Sequence, residues 1–363
     1  MSEVIGQATL GGRHIRMGAG EILKVMDLCA ASAAMKHVQH QRTPTLAFDR
    51  LELLVPICHG DLVLTRSLLV HSLISSAGAH GCQSDQRWTS AMGVQVVGRK
   101  KDMRTRHWYY THEAFATFVS LGPDGKPSTV PELVLETQEE IKSQEYAKKR
   151  VELARRYARE QAAFDSHPID PLELEFKKVK GIEYMHIEDT VVRLRKNFLP
   201  RSLNGLGTIF GGDLMEWMEG AAIVCARNFT RNSNVVTIAM DNLFFMKPIL
   251  PTHMLELTAR VETTVKIIES MWNQKKQDDV SHKGYFTILN TGEYGDKEEI
   301  FVKLEVGEDE LSQREYLKAK HRAEFLWPES CRSRPSYGQA FTQEGVVPYP
   351  PWGDEERSYF GIA

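Results

Sequence analysis

The residue types best suited to chemistry lie together in Asn204-Gly-Leu-Gly-Thr-Ile-Phe-Gly-Gly-Asp-Leu-Met-Glu-Trp-Met-Glu219. A glycine-rich turn runs into an apolar stretch at helical spacing, and Glu219 falls two turns into that predicted helix. Glycines let a backbone approach another group closely, and the unbonded N–H groups of a helix start can hold an oxygen that carries negative charge. The signal gains weight from a second, altered copy near the start of the chain.

Adding 192 to positions in the first third lands repeatedly on the same residue type. Gly20 meets Gly212, Met26 meets Met218, Ala30 meets Ala222 and Ala34 meets Ala226. The match continues through Thr45 and Thr237, Ala47 and Ala239, Asp49 and Asp241, Leu51 and Leu243, and Pro56-Ile57 and Pro248-Ile249, with no gap. An ungapped internal repeat of this kind implies two copies of one domain.

Each copy predicts a helix and then strands. Residues 20–37 carry Ile22, Leu23, Met26, Ala30, Ala33 and Ala34 at helical spacing, and so many alanines suit a helix lying close against a sheet. Strands are expected over 45–57, 61–74, 92–97 and 110–121, with residues 75–90 as a loop insertion. The second copy predicts a helix over 212–229, strands over 235–249, 253–268, 284–290 and 299–306, and a polar loop over 273–283. One long helix followed by a run of strands, twice, predicts an α+β fold with an antiparallel sheet. The first domain spans 1–136, a linker with a charged helix 137–184, the second domain 185–308, and a helix and Pro-rich aromatic tail 309–363. Thr137-x-x-Glu140 and Ser312-x-x-Glu315 are capping-box starts for helices that read as solvated connectors. Copy two has a strand-like lead-in over 190–198, whereas the matching strand in copy one falls at or before residue 6. Copy one is therefore expected to lack an N-terminal piece of the natural protein.

The totals narrow the class. A chain of 363 residues with 42% hydrophobic and 26% charged residues suits two globular domains. A net charge of −3 gives no bulk attraction to nucleic acid, and no apolar run approaches the ~20 residues of a membrane span. Cys29, Cys58, Cys82, Cys225 and Cys331 are odd in number, scattered and without a C-x-x-C pair, which favours reduced thiols over disulfides or zinc. The expected location is cytoplasmic, or mitochondrial if a transit peptide lies upstream. No G-x-S-x-G elbow is present, and Gly18-Ala-Gly20-Glu-Ile-Leu23 fails the dinucleotide fingerprint at its last glycine. Cys29 reads as a small buried cysteine, Asp213 as a first-turn charge on the helix dipole, and Asp49 and Asp241 as structural.

Phe210-Gly-Gly-Asp-Leu-Met-Glu-Trp-Met-Glu-Gly-Ala-Ala222 resembles the signature of hotdog-fold acyl-CoA thioesterases, in which a curved antiparallel sheet wraps a long helix. The segment from Leu121 to Thr137 resembles the end of a domain in the double-hotdog members. The resemblance covers about residues 12–165 and 185–325. It implies hydrolysis of acyl-CoA to fatty acid and CoA, no separate cofactor or metal, and a homotrimer of double-hotdog chains. It also implies a site between two units, pairing an Asn before the glycine turn of one with an acid inside the helix of the other. Carried over, Asn204 pairs with Asp27, the repeat equivalent of Glu219. The opposite half-site would hold Glu219 facing Gly12 and lack the amide, so it is expected to be vestigial.

Thioester hydrolysis needs a base for water and donors for the developing oxyanion. Asp27 lies between Met26 and Leu28, and apolar surroundings should raise its pKa and make it a competent base. Asn204 would orient the water or the carbonyl, and the N–H groups near Gly211 and Gly212 would supply a helix-start anion site, with the Gly212 N–H as the oxyanion donor. For the CoA phosphates, Arg99, Lys100 and Lys101 are among too many candidates to separate. The rivals are an acyl-CoA-binding regulator without catalysis and a hotdog dehydratase or hydratase. The last needs a site histidine, which neither glycine turn supplies in the expected place.

Overall fold

The computed structural model describes residues 2–4, 16–49, 51–58, 60–73, 90–101, 108–166, 169, 180–261, 264–268, 279–292, 298–305, 310, 313–314 and 316–319. In chain order the elements are β1 (Ser2–Val4), α1 (Ala19–Val38), β2 (Thr45–Phe48), β3 (Leu51–Leu53), β4 (Leu62–Leu73), β5 (Ala91–Lys101) and β6 (Trp108–Val119). There follow α2 (Gln138–Ser166), β7 (Glu183–His186), β8 (Val192–Lys196), α3 (Gly211–Thr230), β9 (Val235–Phe245), β10 (Met254–Ala259), β11 (Thr264–Ile268), β12 (Asp279–Asn290) and β13 (Val302–Glu305).

The repeat governs the architecture. Helices α1 and α3 begin and end at positions separated by 192, and each is closed by a residue in the left-handed region, Gln39 at φ 58° and Arg231 at φ 54°. The strand order β1-β4-β5-β6-β2 is mirrored by β8-β10-β11-β12-β9. The two halves meet edge to edge at β2, β3 and β9, through Phe48↔Leu243 and Leu51↔Met240, giving one eleven-stranded sheet. Even single hydrogen bonds repeat: Met17 N–H donates to Ile57 O and Ile209 N–H to Ile249 O, both at 2.9 Å.

The sheet buries one apolar side around both helices. Leu23, Met26, Ala30 and Ala34 of α1 and Leu214, Met215, Met218 and Cys225 of α3 belong to one continuous core with Phe48, Met92, Met240 and Leu243. Full burial of each large side chain contributes about 1.5–3 kcal/mol. The helices also cross each other closely. A Cβ on Gly20 would sit 2.7 Å from the Glu216 Cα, and one on Gly212 would sit 2.9 Å from the Lys24 Cα. Lys24 and Glu216 are themselves repeat equivalents, and their side chains bond at 3.2 Å. The pseudo-twofold axis therefore passes between them.

Three expectations need correction. The segment around 299–306 contributes β13, but β13 lies outside the large sheet and pairs parallel with β7. An alternating pattern specifies a strand and not its neighbour. The loop expected over 273–283 is strand from Asp279 onward, because Lys283 lies opposite Phe244 within the β12–β9 ladder. Charged and polar residues there concealed a strand whose partners supply the ordering. Helix α2 is also more than a solvated connector, since Ala147 is buried against Val70 and Phe115, with Tyr146 tilted on Phe115 at 5.7 Å. Its capping box forms as expected: Glu140 N–H donates to Thr137 Oγ1 at 3.2 Å, and Thr137 N–H to Glu140 Oε2 at 2.9 Å. Ser312, Glu315, Cys82, Cys331, Gly12 and most of the loop expected over 75–90 lie outside the described residues.

Candidate active site

Asp27 faces inward from the third turn of α1 and is fully buried. Its Oδ1 accepts a bond from Thr45 Oγ1 at 2.8 Å. The backbone N–H of Gly212, at the start of the other copy's helix, also bonds the carboxylate. Burial is the largest influence and raises its pKa to about 7, against the opposing pull of the Thr45 and Gly212 donors. Oδ2 is buried with no partner among the described residues. A Cβ on Gly211 would sit 2.9 Å from that oxygen and 3.0 Å from the Phe245 ring. Glycine is therefore needed there for close approach and not for an unusual φ.

The same arrangement occurs on the other side of the axis. Glu219 accepts from Thr237 Oγ1 at 2.6 Å and from the Gly20 N–H, and burial raises its pKa. Asp27, Thr45 and Gly212 correspond one for one to Glu219, Thr237 and Gly20 at the offset of 192. Each acid takes a threonine from its own copy and a helix-start N–H from the other, so neither copy holds a complete constellation by itself.

Asn204 closes the turn that precedes α3. Its Oδ1 accepts from Leu206 N–H at 2.9 Å and Thr208 N–H at 3.2 Å, and its Nδ2 donates to Thr208 Oγ1 at 2.8 Å. The backbone adds Asn204 N–H to Thr208 O at 2.8 Å and Gly207 N–H to Asn204 O at 3.0 Å, with Gly207 at φ 73°. An Asn side chain that mimics a backbone turn explains its place. Nδ2 carries a second proton beyond the one given to Thr208. Gly205 abuts Gln41 of the first copy, so the turn leans across the boundary between copies.

A cavity of about 400 Å³ lies at this boundary, lined by Ala31, Met35 and Thr45 from the first copy and Asn204, Gly211, Phe245 and His282 from the second. It thus joins the Asn204 turn to the two residues, Thr45 and Gly211, that flank the Asp27 carboxylate. Of the expected residues, Asn204 and Gly211 line this cavity, and Asp27, bonded to Thr45 and Gly212, lies buried behind its wall. Glu219 belongs to the opposite half. Asp213 pairs with Lys24 Nζ of the other copy at 2.6 Å.

Three participants escaped the sequence reading. Thr45 and Thr237 stood in the repeat alignment, but identity at 192 did not reveal that they face the acids. His282 was hidden because the offset changes. Thr111-His112 of β6 corresponds to Ser281-His282 of β12, since Leu53↔His112 and Phe245↔His282 are equivalent pairs, yet here the separation is 170. A gapped comparison across the loop insertion would have aligned them.

Among the described residues no helix is long and apolar enough to cross a membrane, and no cluster of His, Cys, Asp and Glu has metal-site geometry. Residues 206–266 match the thioesterase superfamily. A Bacillus subtilis (strain 168) protein described as an uncharacterized acyl-CoA thioester hydrolase, YkhA, is 30% identical over 128 residues, which are 35% of this chain and 65% of the relative's length. An acyl-CoA hydrolase from Staphylococcus aureus, solved with butyryl coenzyme A, is 25% identical over 46% of this chain and 91% of its own, with a TM-score of 0.36. A hexameric acyl-CoA thioesterase is 24% identical over 44% of this chain and 90% of its own, also with a TM-score of 0.36. The part of the chain that holds α3, β9 and β10 is therefore similar to a thioesterase-superfamily domain.

Proposed function

We propose that the chain comprises two tandem hotdog units and hydrolyses acyl-CoA thioesters at one inter-unit site. The observation that carries this reading is the buried Asp27 carboxylate, its pKa raised to about 7, set directly against Thr45 and Gly211, which line an apolar cavity together with Asn204. A base with a pKa near the working pH balances availability against basicity.

In this reading Asp27 takes a proton from water as its oxygen attacks the thioester carbonyl carbon. The second Nδ2 proton of Asn204 and the N–H of Gly211 stabilise the oxygen as it becomes negative. Gly211 is the first helical residue, so its N–H has no intrahelical partner. The tetrahedral intermediate then expels the CoA sulfur as the C–S bond breaks, and the proton held by Asp27 passes to the thiolate. The Gly212 N–H holds the base in place rather than the oxyanion. No separate cofactor enters this scheme.

The Glu219 half is the vestigial partner, since the sequence equivalent of Asn204 in the first copy is Gly12 and carries no amide side chain. Three such chains, presenting six units, are the assembly the resemblance supports. The test is release of free thiol from a chain-length series of acyl-CoA esters. Turnover by the natural sequence that collapses in Asp27→Asn supports the proposal. Tight acyl-CoA binding without thiol release would replace it with a binding protein.

A further inference from the structure

His112 and His282 occupy equivalent places in the two copies, yet their surroundings differ. In both, Nδ1 is engaged by the preceding hydroxyl: Thr111 Oγ1 at 2.9 Å and Ser281 Oγ at 2.8 Å. His112 turns onto the neighbouring strand, where a Cβ on Gly98 would overlap its imidazole. The register position equivalent to Gly98, opposite His282 on β11, carries Val265. His282 stands instead at the cavity wall, in edge contact with Phe245 at 5.1 Å and an interplanar angle of 82°. Phe245 in turn lies against Gly211, beside the Asp27 carboxylate.

The Ser281 hydroxyl is fully buried and has no acceptor other than His282 Nδ1 among the described residues. A buried hydroxyl that donates to its only acceptor satisfies both groups, and that leaves the imidazole proton on Nε2. His282 Nε2 bonds no described residue, and the side chain lines the cavity. Burial holds the ring neutral, with a pKa lowered to about 3, so it supplies a hydrogen bond and not a second base.

We propose that His282 contacts the substrate, its Nε2–H donating to a carbonyl oxygen of the bound acyl thioester, either the thioester carbonyl or an amide carbonyl of the pantetheine arm. The proposal rests on the acyl-CoA reading of the cavity.

Calorimetric titration of His282→Leu, His282→Gln and His112→Leu with two ligands tests it. An S-(2-oxoalkyl)-CoA keeps a carbonyl but has no scissile acyl C–S bond, and an S-alkyl-CoA of equal length lacks that carbonyl. His282→Leu is expected to weaken the oxoalkyl ligand about tenfold, His282→Gln to restore part of the loss, and His112→Leu to bind as the natural sequence does. Loss confined to the oxoalkyl ligand assigns the thioester carbonyl, whereas equal loss on both assigns a pantetheine amide. Binding of both ligands by His282→Leu within twofold of the natural sequence overturns the proposal, as does a glutamine variant no better than leucine. Thiol release by the natural sequence is measured alongside. Its absence with binding intact defeats the hydrolase reading and leaves the His282 contact standing.

Discussion

The two halves of this molecule place an acid, a threonine and a helix-start N–H in the same geometry, and in sequence only one of the two turns before the helices carries an amide, Asn204, where the other has Gly12. Asp27 is held by Thr45 and the Gly212 N–H behind a cavity that Thr45, Gly211 and Asn204 line at the boundary between copies, whereas Glu219 has Thr237 and the Gly20 N–H, and the sequence equivalent of Asn204 is Gly12. The acid, threonine and glycine serve folding in both halves, because the glycines let the helices cross and the threonines bond the buried carboxylates, and in the proposed function the set around Asp27 also serves chemistry. The amide serves only its own turn and whatever enters the cavity. Duplication can therefore retain the first set on both sides while the second is lost from one.

The sharpest break of that comparison is a matched pair of substitutions. Asp27→Asn should lower kcat for acyl-CoA hydrolysis about 10²–10⁴-fold, while Glu219→Gln changes it less than tenfold. Equal losses would mean two working half-sites. Asn204→Ala should cost roughly 10²–10³-fold in kcat. Thr208→Val perturbs the same turn and leaves the amide, so a comparable loss there would assign the effect to the turn's shape.

Stability offers a second contrast. The folded-state pKa of Asp27 lies above its ordinary value of 3.8, so the folded protein holds the proton more tightly than the unfolded chain. Stability then falls as pH rises from about 4 to about 7, by on the order of 4 kcal/mol, and stays reduced above that. Asp27→Asn removes this cost, so its Tm at pH 8 should exceed that of the natural sequence, and the gap should narrow towards pH 4. A constant gap would contradict the burial-driven shift. The smallest effect expected is from Thr45→Val, which removes a donor that favours the ionised acid. It should move the pH midpoint of hydrolysis upward, whereas Thr237→Val should leave the midpoint in place.

Much of this was legible in the sequence because the repeat was ungapped across the helix and the first strands. The offset of 192 gave both helix bounds, the correspondence of Asp27 with Glu219 and the asymmetry of Asn204 with Gly12. It failed where insertion changed the spacing, and so missed Ser281-His282. Partnership across space was also hidden. Thr45 shows no sign in sequence of facing Asp27, and β13 shows none of leaving the large sheet for β7. The early start of β12 at Asp279 was masked by polar residues that only a neighbouring strand can order.

The pH dependence of kcat/KM for acyl-CoA hydrolysis, measured for the natural sequence and Glu219→Gln beside the residual activity of Asp27→Asn, probes the central claim most directly. Activity should rise through an apparent pKa near 7 in the first two, and the Asp27→Asn remnant should show no such step. A step that persists without Asp27, or that vanishes with Glu219, would place the working base elsewhere.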